Sequence, residues 1–318
     1  MTTKNFAFVF PGQGSQSVGM LDAWGGHPAV AEAVQEASDA LGEDIGRLIH
    51  EGPKEALALT TNTQPVMLVA GVAAWRVWLA EGGAQPAAVA GHSLGEYSAL
   101  VASGVLTLSQ AAPLVRLRAS AMQEAVPVGM GAMAAILGLE SAKVIEGCAQ
   151  ATAAFGVGST DVVEAVNFND PAQTVIAGTK AGVEKACEML KAAGAKRALP
   201  LPVSAPFHSS LMRPAAEKLR EALAGLSLAA PRIPVVNNID VAVVQDADAI
   251  RDALYRQAFG PVRWVECIGA LKALGATHVI ECGPGKVLTG MAKRIDATLV
   301  AGSVYDPASL QETRELLA

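Results

Sequence analysis

Aromatic side chains are scarce, at 4% of the 318 residues. Ala, Val and Leu must then fill the core, which suits close packing of helices on a sheet. Charge is sparse too: 17% of residues are charged against 51% hydrophobic, a globular balance and not a disordered one. The net charge is −6 and no long basic run occurs, which excludes the electrostatic footprint of a nucleic-acid binder. Cysteine is limited to Cys148, Cys187, Cys267 and Cys282. No C-x-x-C pair and no zinc spacing is present, so neither a structural metal nor a disulfide framework is expected. Reduced thiols in a cytoplasmic protein fit this pattern. A membrane-crossing run is absent as well. The stretch 97–115 is free of charge, but Ser98, Ser103, Gly104, Thr107, Ser109, Gln110 and Pro113 interrupt it. A bilayer span needs roughly 20 mainly apolar residues, so two soluble helices joined by a turn are expected there. The first residues run straight into "FAFVF" with no basic segment and long apolar run, so no secretory signal is expected.

What is present alternates between strand and helix signals. "FAFVF" (6–10) ends at Pro11-Gly12 and reads as a buried strand. Helical patterns follow at 28–41 and 65–80. "AAVAG" (87–91) is a second buried strand, and helices fit 95–103 and 108–125. After Gly129-Met130-Gly131 the style changes. A strand (132–139), a helix (141–153), two strands (161–169 and 173–178) joined by a tight Asp170-Pro171 turn, a helix (180–194) and a strand (195–203) follow. Thr179 is placed to cap the second of these helices. This order is the split βαβ pattern of a ferredoxin-like unit. Strands at 233–240 and 277–285 then resume the first style. The expected fold class is α/β: a mostly parallel sheet flanked by helices, an α/β-hydrolase-like core, with an inserted ferredoxin-like α+β subdomain. Residues 1–128 and 203–318 form the large domain and 129–202 the insertion.

"GHSLGEYSAL" (91–100) places Ser93 in a G-x-S-x-G frame between a strand and a helix. Such a turn exposes a serine hydroxyl and aims the next backbone N–H at the reacting oxygen. The bland alternative is a helix-starting turn whose glycines serve packing. A serine nucleophile needs a base, and five histidines compete: His27, His50, His92, His208 and His278. His27 and His50 lie in polar, loop-like surroundings, and His278 sits at a strand start. His92 adjoins Ser93, so its side chain leaves the turn in another direction. His208, in "VSAPFHSSLM", lies C-terminal to the serine as the base does in α/β hydrolases; a surface histidine is the alternative. Asp161, Glu164 and Asp170 fall between the two but belong to the inserted unit, so no triad acid is evident. Arg116 and Arg118 are two apart on a helix and point to different faces; one reaches a pocket and the other is solvated. "FPGQGSQSVG" has Ser17 where a dinucleotide fingerprint needs glycine, and "GPGKVLTG" lacks P-loop spacing.

Taken in order, "FPGQGSQ", "GHSLGEYSAL", an arginine twenty-five positions after the serine, "APFHSSLM", "YRQ…PVRW" and "ECGPGKVL" resemble the malonyl-CoA:acyl carrier protein transacylase family of bacterial fatty acid synthesis. The resemblance runs from about residue 6 to about residue 302. It implies Ser93 as a nucleophile that becomes malonylated and His208 as its base. Gln13 and Leu94 would supply the oxyanion hole. Arg118 would bind the malonyl carboxylate, and the backbone carbonyl of Gln257 would orient the imidazole in place of a triad acid. Phe207 and His92 join the implied substrate-binding residues. In related polyketide acyltransferases a bulky residue at the position of Phe207 goes with malonyl and a small one with methylmalonyl; simple core packing is the alternative for this ring. No cofactor is implied beyond the coenzyme A thioester as substrate. The implied partners are malonyl-CoA and acyl carrier protein, with no nucleic acid and no membrane, and the chain is expected to act as a monomer. Two readings compete with this one: an esterase or thioesterase in which water resolves the acyl-enzyme, and a non-catalytic module that docks carrier proteins.

Overall fold

A computed structural model describes residues 4–203 and 205–318. Nine strands are formed among these residues: β1 (Phe6–Phe10), β2 (Ala88–Gly91), β3 (Gly131–Leu137), β4 (Val163–Asp170), β5 (Gln173–Thr179), β6 (Arg197–Pro200), β7 (Val235–Val236), β8 (His278–Cys282) and β9 (Val300–Val304). The first sheet has the order β7-β2-β1-β8-β9 and every neighbouring pair in it is parallel. Its strands β1, β2 and β8 are buried throughout, as expected when helices cover both faces. The second sheet has the order β4-β5-β3-β6 and is antiparallel. Helices Ser141–Ala153 and Lys180–Ala192 complete the ferredoxin-like order read from the sequence. Ile136, Val144, Val163, Ile176, Val183 and Leu190 belong to a core of its own. Thr179 caps the second helix as expected, its hydroxyl accepting from the Gly182 N–H at 3.2 Å.

Several boundaries move, each for a local reason. The expected strand at 233–240 shrinks to two residues. The Asn238 N–H is taken by the Glu96 carboxylate and the Asn237 N–H by the Ala242 carbonyl, so the chain leaves the ladder. The strand expected at 195–203 runs from Arg197 to Pro200; Leu201 still donates to the Met133 carbonyl at 2.9 Å, and Pro202 after it has no N–H to give. The helix expected from residue 65 begins at Thr60 instead and carries Pro65 inside it. A proline there cannot bond the carbonyl four residues back, which belongs to Thr61. The Arg116 guanidinium donates to that carbonyl at 2.9 Å, and also to the Asn62 side chain. Arg116 is therefore not the solvated arginine expected; it is about four-fifths buried and also pairs with Glu43. Helices Arg213–Ala224, Ala247–Phe259, Trp264–Ala273, Val287–Ile295 and Pro307–Leu317 and strand β9 lie outside the sequence expectations.

Strand β4 is tied by its backbone to the segment just before helix Trp264–Ala273. In β4, Phe168 donates its N–H to the Val262 carbonyl at 3.0 Å, and Val262 returns its N–H to the Val166 carbonyl at 2.8 Å. Among the described residues no helix is long and apolar enough to cross a membrane.

Candidate active site

The carboxyl ends of β1 and β2 lie side by side, with Phe10 paired to Gly91. Beyond β2 the chain turns through His92, Ser93 and Leu94 into helix Gly95–Ala102. The turn leaves no room for side chains at its glycines. A Cβ on Gly91 would lie 1.9 Å from the Gly95 backbone, and one on Gly95 would lie 2.0 Å from the Phe10 carbonyl oxygen. Ser93 takes left-handed backbone, with φ of 53°. His208, in the turn after Phe207, does the same with φ of 66°. Such conformations cost on the order of 1–3 kcal/mol each in a non-glycine residue and persist where the surroundings hold them.

These two strained residues face each other. Ser93 Oγ lies 2.6 Å from His208 Nε2, and His208 Nδ1 lies 2.9 Å from the Gln257 carbonyl oxygen. A carbonyl only accepts, so Nδ1 carries the proton. Nε2 is then bare, and the serine hydroxyl donates to it. Burial, and then the nearby Arg118 charge, push the His208 pKa down to about 3. The imidazole is therefore neutral at neutral pH, the form that takes a proton. Among the described residues no carboxylate touches it. Asp161 accepts from the Thr179 hydroxyl, Glu164 from the Ser210 N–H, and Asp170 pairs with Arg294.

Arg118 is 2% exposed and reaches the same point. Its Nη2 donates to Ser93 Oγ at 3.3 Å and to Gln257 Oε1 at 3.1 Å, and its Nη1 to Gln64 Oε1 at 2.7 Å. Its Nε–H has no partner among the described residues. Gln64 in turn donates to Gln13 Oε1 at 3.1 Å. Ser93, His208, Arg118, Gln13, His92 and Phe207 all line one cleft of about 210 Å³. Leu94 and Gln257 lie behind its wall. The backbone N–H groups of Gln13 and Leu94 donate to no protein acceptor among the described residues. His92 turns away from the serine, as expected, and its Nε2 meets Asn169 Oδ1 at 2.8 Å, while burial lowers its pKa.

The remaining histidines stand elsewhere. His27 caps helix Pro28–Leu41, His50 lies in the last turn of helix Ile45–Glu51 beside Asp22, and His278 opens β8. Sequence reasoning missed Gln64, Asn238 and Glu96. Asn238 Oδ1 accepts the Ser93 N–H at 2.8 Å. Glu96 is buried, which raises its pKa to about 7 against the lowering hydrogen bonds from Gln257 and Asn238. Glu96 sits inside the motif already quoted, but its partners lie some 140–160 positions away. Among the described residues no group of three or more His, Cys, Asp or Glu is placed to hold a metal ion.

The sequence matches the family model of the acyl transferase domain over residues 7–298. A malonyl CoA-acyl carrier protein transacylase of Salmonella typhimurium is 54% identical over 306 residues, covering 96% of this chain and 97% of the relative. The protein of that name from Bacillus subtilis strain 168 is 44% identical, covering 97% and 96%. Among solved structures, an acyl-carrier-protein S-malonyltransferase from Burkholderia pseudomallei is 66% identical, with a TM-score of 0.94 over 98% of this chain and 99% of that one. A malonyl-transacylase solved in complex with its type II PKS acyl-carrier protein is 51% identical, with a TM-score of 0.94 over 98% and 100%. The chain thus belongs to the acyl transferase domain family, within its malonyl CoA-acyl carrier protein transacylases.

Proposed function

We propose that this enzyme moves the malonyl group from malonyl-CoA to the phosphopantetheine thiol of acyl carrier protein, by a ping-pong route through a malonyl ester of Ser93. One observation carries the reading: a neutral, oriented imidazole accepts from the Ser93 hydroxyl while a buried guanidinium stands 3.3 Å from that same oxygen. Ser93 Oγ attacks the thioester carbonyl as His208 Nε2 takes its proton. The carbonyl oxygen gains the negative charge and is held by the N–H groups of Leu94 and Gln13. Losing one such donor costs about 10²–10³ in rate. The tetrahedral adduct collapses, the C–S bond breaks, and His208 returns the proton to the departing coenzyme A sulfur. In the second half the carrier thiol gives its proton to His208, its sulfur attacks the ester, and Ser93 leaves with the proton restored. The two halves are mirror images, the condition for ping-pong kinetics.

Arg118 selects for a carboxylate on the acyl group, since its planar fork matches two carboxylate oxygens. The placing of its Nη2 3.3 Å from Ser93 Oγ in the cleft supports that role. Gln257 holds the base through its carbonyl, and Phe207 and His92 shape the acyl pocket. The reading includes action as a monomer, for which the proposed site needs no group from a second chain, and action in the cytoplasm, which fits the proposed substrates. The division into 1–128 with 203–318 and an insertion at 129–202 is part of the same reading, supported by the separate core of the second sheet. Intact-mass measurement after mixing with malonyl-CoA tests the proposal. The wild type should gain one malonyl group and pass it to carrier protein, and Ser93→Ala should gain none. An adduct on the mutant would remove Ser93 from the nucleophile's role.

A further inference from the structure

A buried carboxylate that the mechanism above does not use lies directly beneath the nucleophile. Glu96 follows Ser93 by three positions, in the first turn of helix Gly95–Ala102, and is 2% exposed. Burying a carboxylate is unfavourable unless hydrogen bonds replace its water. Among the described residues, Glu96 accepts them from two groups. Its Oε2 accepts from the Asn238 backbone N–H at 2.9 Å and from Gln257 Nε2 at 3.1 Å. Both donors belong to the reacting constellation. Asn238 grips the serine turn from both sides: its Oδ1 accepts the Ser93 N–H at 2.8 Å and its Nδ2 donates to the Gly91 carbonyl at 2.7 Å. Gln257 grips it a third time, its Nε2 donating to the Ser93 carbonyl at 2.9 Å. The same residue receives His208 Nδ1 on its backbone and Arg118 on its side-chain oxygen.

We infer that Glu96 is a positioning residue for the Ser93–His208 pair, a triad acid moved one step back that reaches the imidazole through Gln257 and the serine turn through Asn238. The inference rests on the roles proposed above for Ser93 and His208. The carboxylate fixes which way the Gln257 amide faces. With Nε2 committed to Glu96 and the Ser93 carbonyl, only Oε1 is left for Arg118, so one carboxylate sets base, nucleophile and arginine in register. It also explains why the chain leaves β7 at Asn237: the Asn238 N–H is needed by Glu96 and not by the sheet. A simple packing role for Glu96, or attraction to the positive start of its helix, would require none of these partners.

The test is the rate constant of Ser93 acylation by malonyl-CoA, measured by rapid quench and intact mass, together with the half-saturating concentration. Glu96→Ala frees both donors. It should slow acylation about 10²-fold, the scale of a small misplacement of reacting groups, with little change in half-saturation. Glu96→Gln keeps an acceptor oxygen for both donors and should recover acylation to within about tenfold of the wild type on the same scale. Ser93→Ala runs alongside; a malonyl adduct on it would fault the parent reading and not this one. With Ser93 established as the acylated residue, three results overturn the inference. These are a wild-type rate constant in Glu96→Ala, a defect confined to half-saturation, or a Glu96→Gln enzyme as slow as about 10²-fold below wild type. The last result stands even if Glu96→Ala fails to fold.

Discussion

At the scale of single residues, Arg118 and Phe207 are expected to act on different parts of the acyl group. Arg118→Ala should lose malonyl transfer while leaving acetyl transfer unchanged or improved, because only malonyl brings a carboxylate to the guanidinium. Phe207→Ser should raise methylmalonyl use relative to malonyl, by a preference of roughly 1–3 kcal/mol for one methyl group. kcat/KM for the three thioesters on the wild type and both variants checks this; an equal loss of all three in Arg118→Ala would make the arginine structural. The same charge bears on the base. Burial comes first and Arg118 second among the causes that depress His208, so removing the guanidinium should raise the imidazole pKa. The acid limb of acetyl transfer should then move to higher pH in Arg118→Ala, and a limb that stays in place would separate the arginine from the imidazole. Stability follows the same sign. A depressed histidine favours the fold above its unfolded value of 6.5, and that contribution is lost as pH falls towards about 3. The Ser93 turn was legible from the G-x-S-x-G frame between a strand and a helix, whereas His208 stood out from the other histidines only by its place after the serine and by the family resemblance. Glu96, Asn238 and Gln64 were not, since a hydrogen bond spanning 54 to 161 positions leaves no local pattern.

At the scale of elements, strands with continuous apolar runs and helices with a cap or a glycine stop were readable, as β1, β2 and helix Lys180–Ala192 illustrate. Helix Arg213–Ala224 was not expected, although it buries Ala215, Ala216, Leu219 and Leu223, a stripe at helical spacing that a periodicity search would have found. The start of helix Thr60–Ala80 was not readable, because a side chain from another helix makes it possible. Pro65 leaves the Thr61 carbonyl without its helical donor, and Arg116 supplies one. Arg116→Ala should therefore destabilise the fold by roughly 1 kcal/mol, the low end of the cost of an unsatisfied acceptor because this one is part-buried, with kcat preserved. In a Pro65→Ala background the residue at 65 has its own N–H for Thr61, and the same Arg116→Ala change should cost less. Denaturant melts of the four proteins give the coupling. Strict additivity would mean that Arg116 acts through Glu43 or the Asn62 side chain and not through the Thr61 carbonyl.

For the whole molecule, the alternation of two styles around residue 129 was enough to read a parallel sheet and a ferredoxin-like unit, and both are formed. Strand order was not readable. β1, the first strand made, is the centre of its sheet, and its two neighbours are β2 and β8, the latter beginning at His278. The middle of the sheet thus stays open on one side until nearly the whole chain exists, and contacts of such separation are slow to form. Ser93 and His208 are likewise 115 positions apart, with the entire second sheet between them. Secondary structure can return without that pair, but on the proposed mechanism transfer is expected to wait for it. During refolding from denaturant, far-ultraviolet circular dichroism should recover ahead of acylation competence, the α+β unit with its own core contributing early. Simultaneous recovery of both signals would mean that the long-range strand pairing is formed at the outset. The central position of β1 makes enzymatic activity a clock for completion: a chain stalled or cut short of β8 can be helical and compact, yet β1, whose end pairs with the strand leading into the Ser93 turn, lacks one of its two neighbours, and the proposed nucleophile is expected to be poorly held.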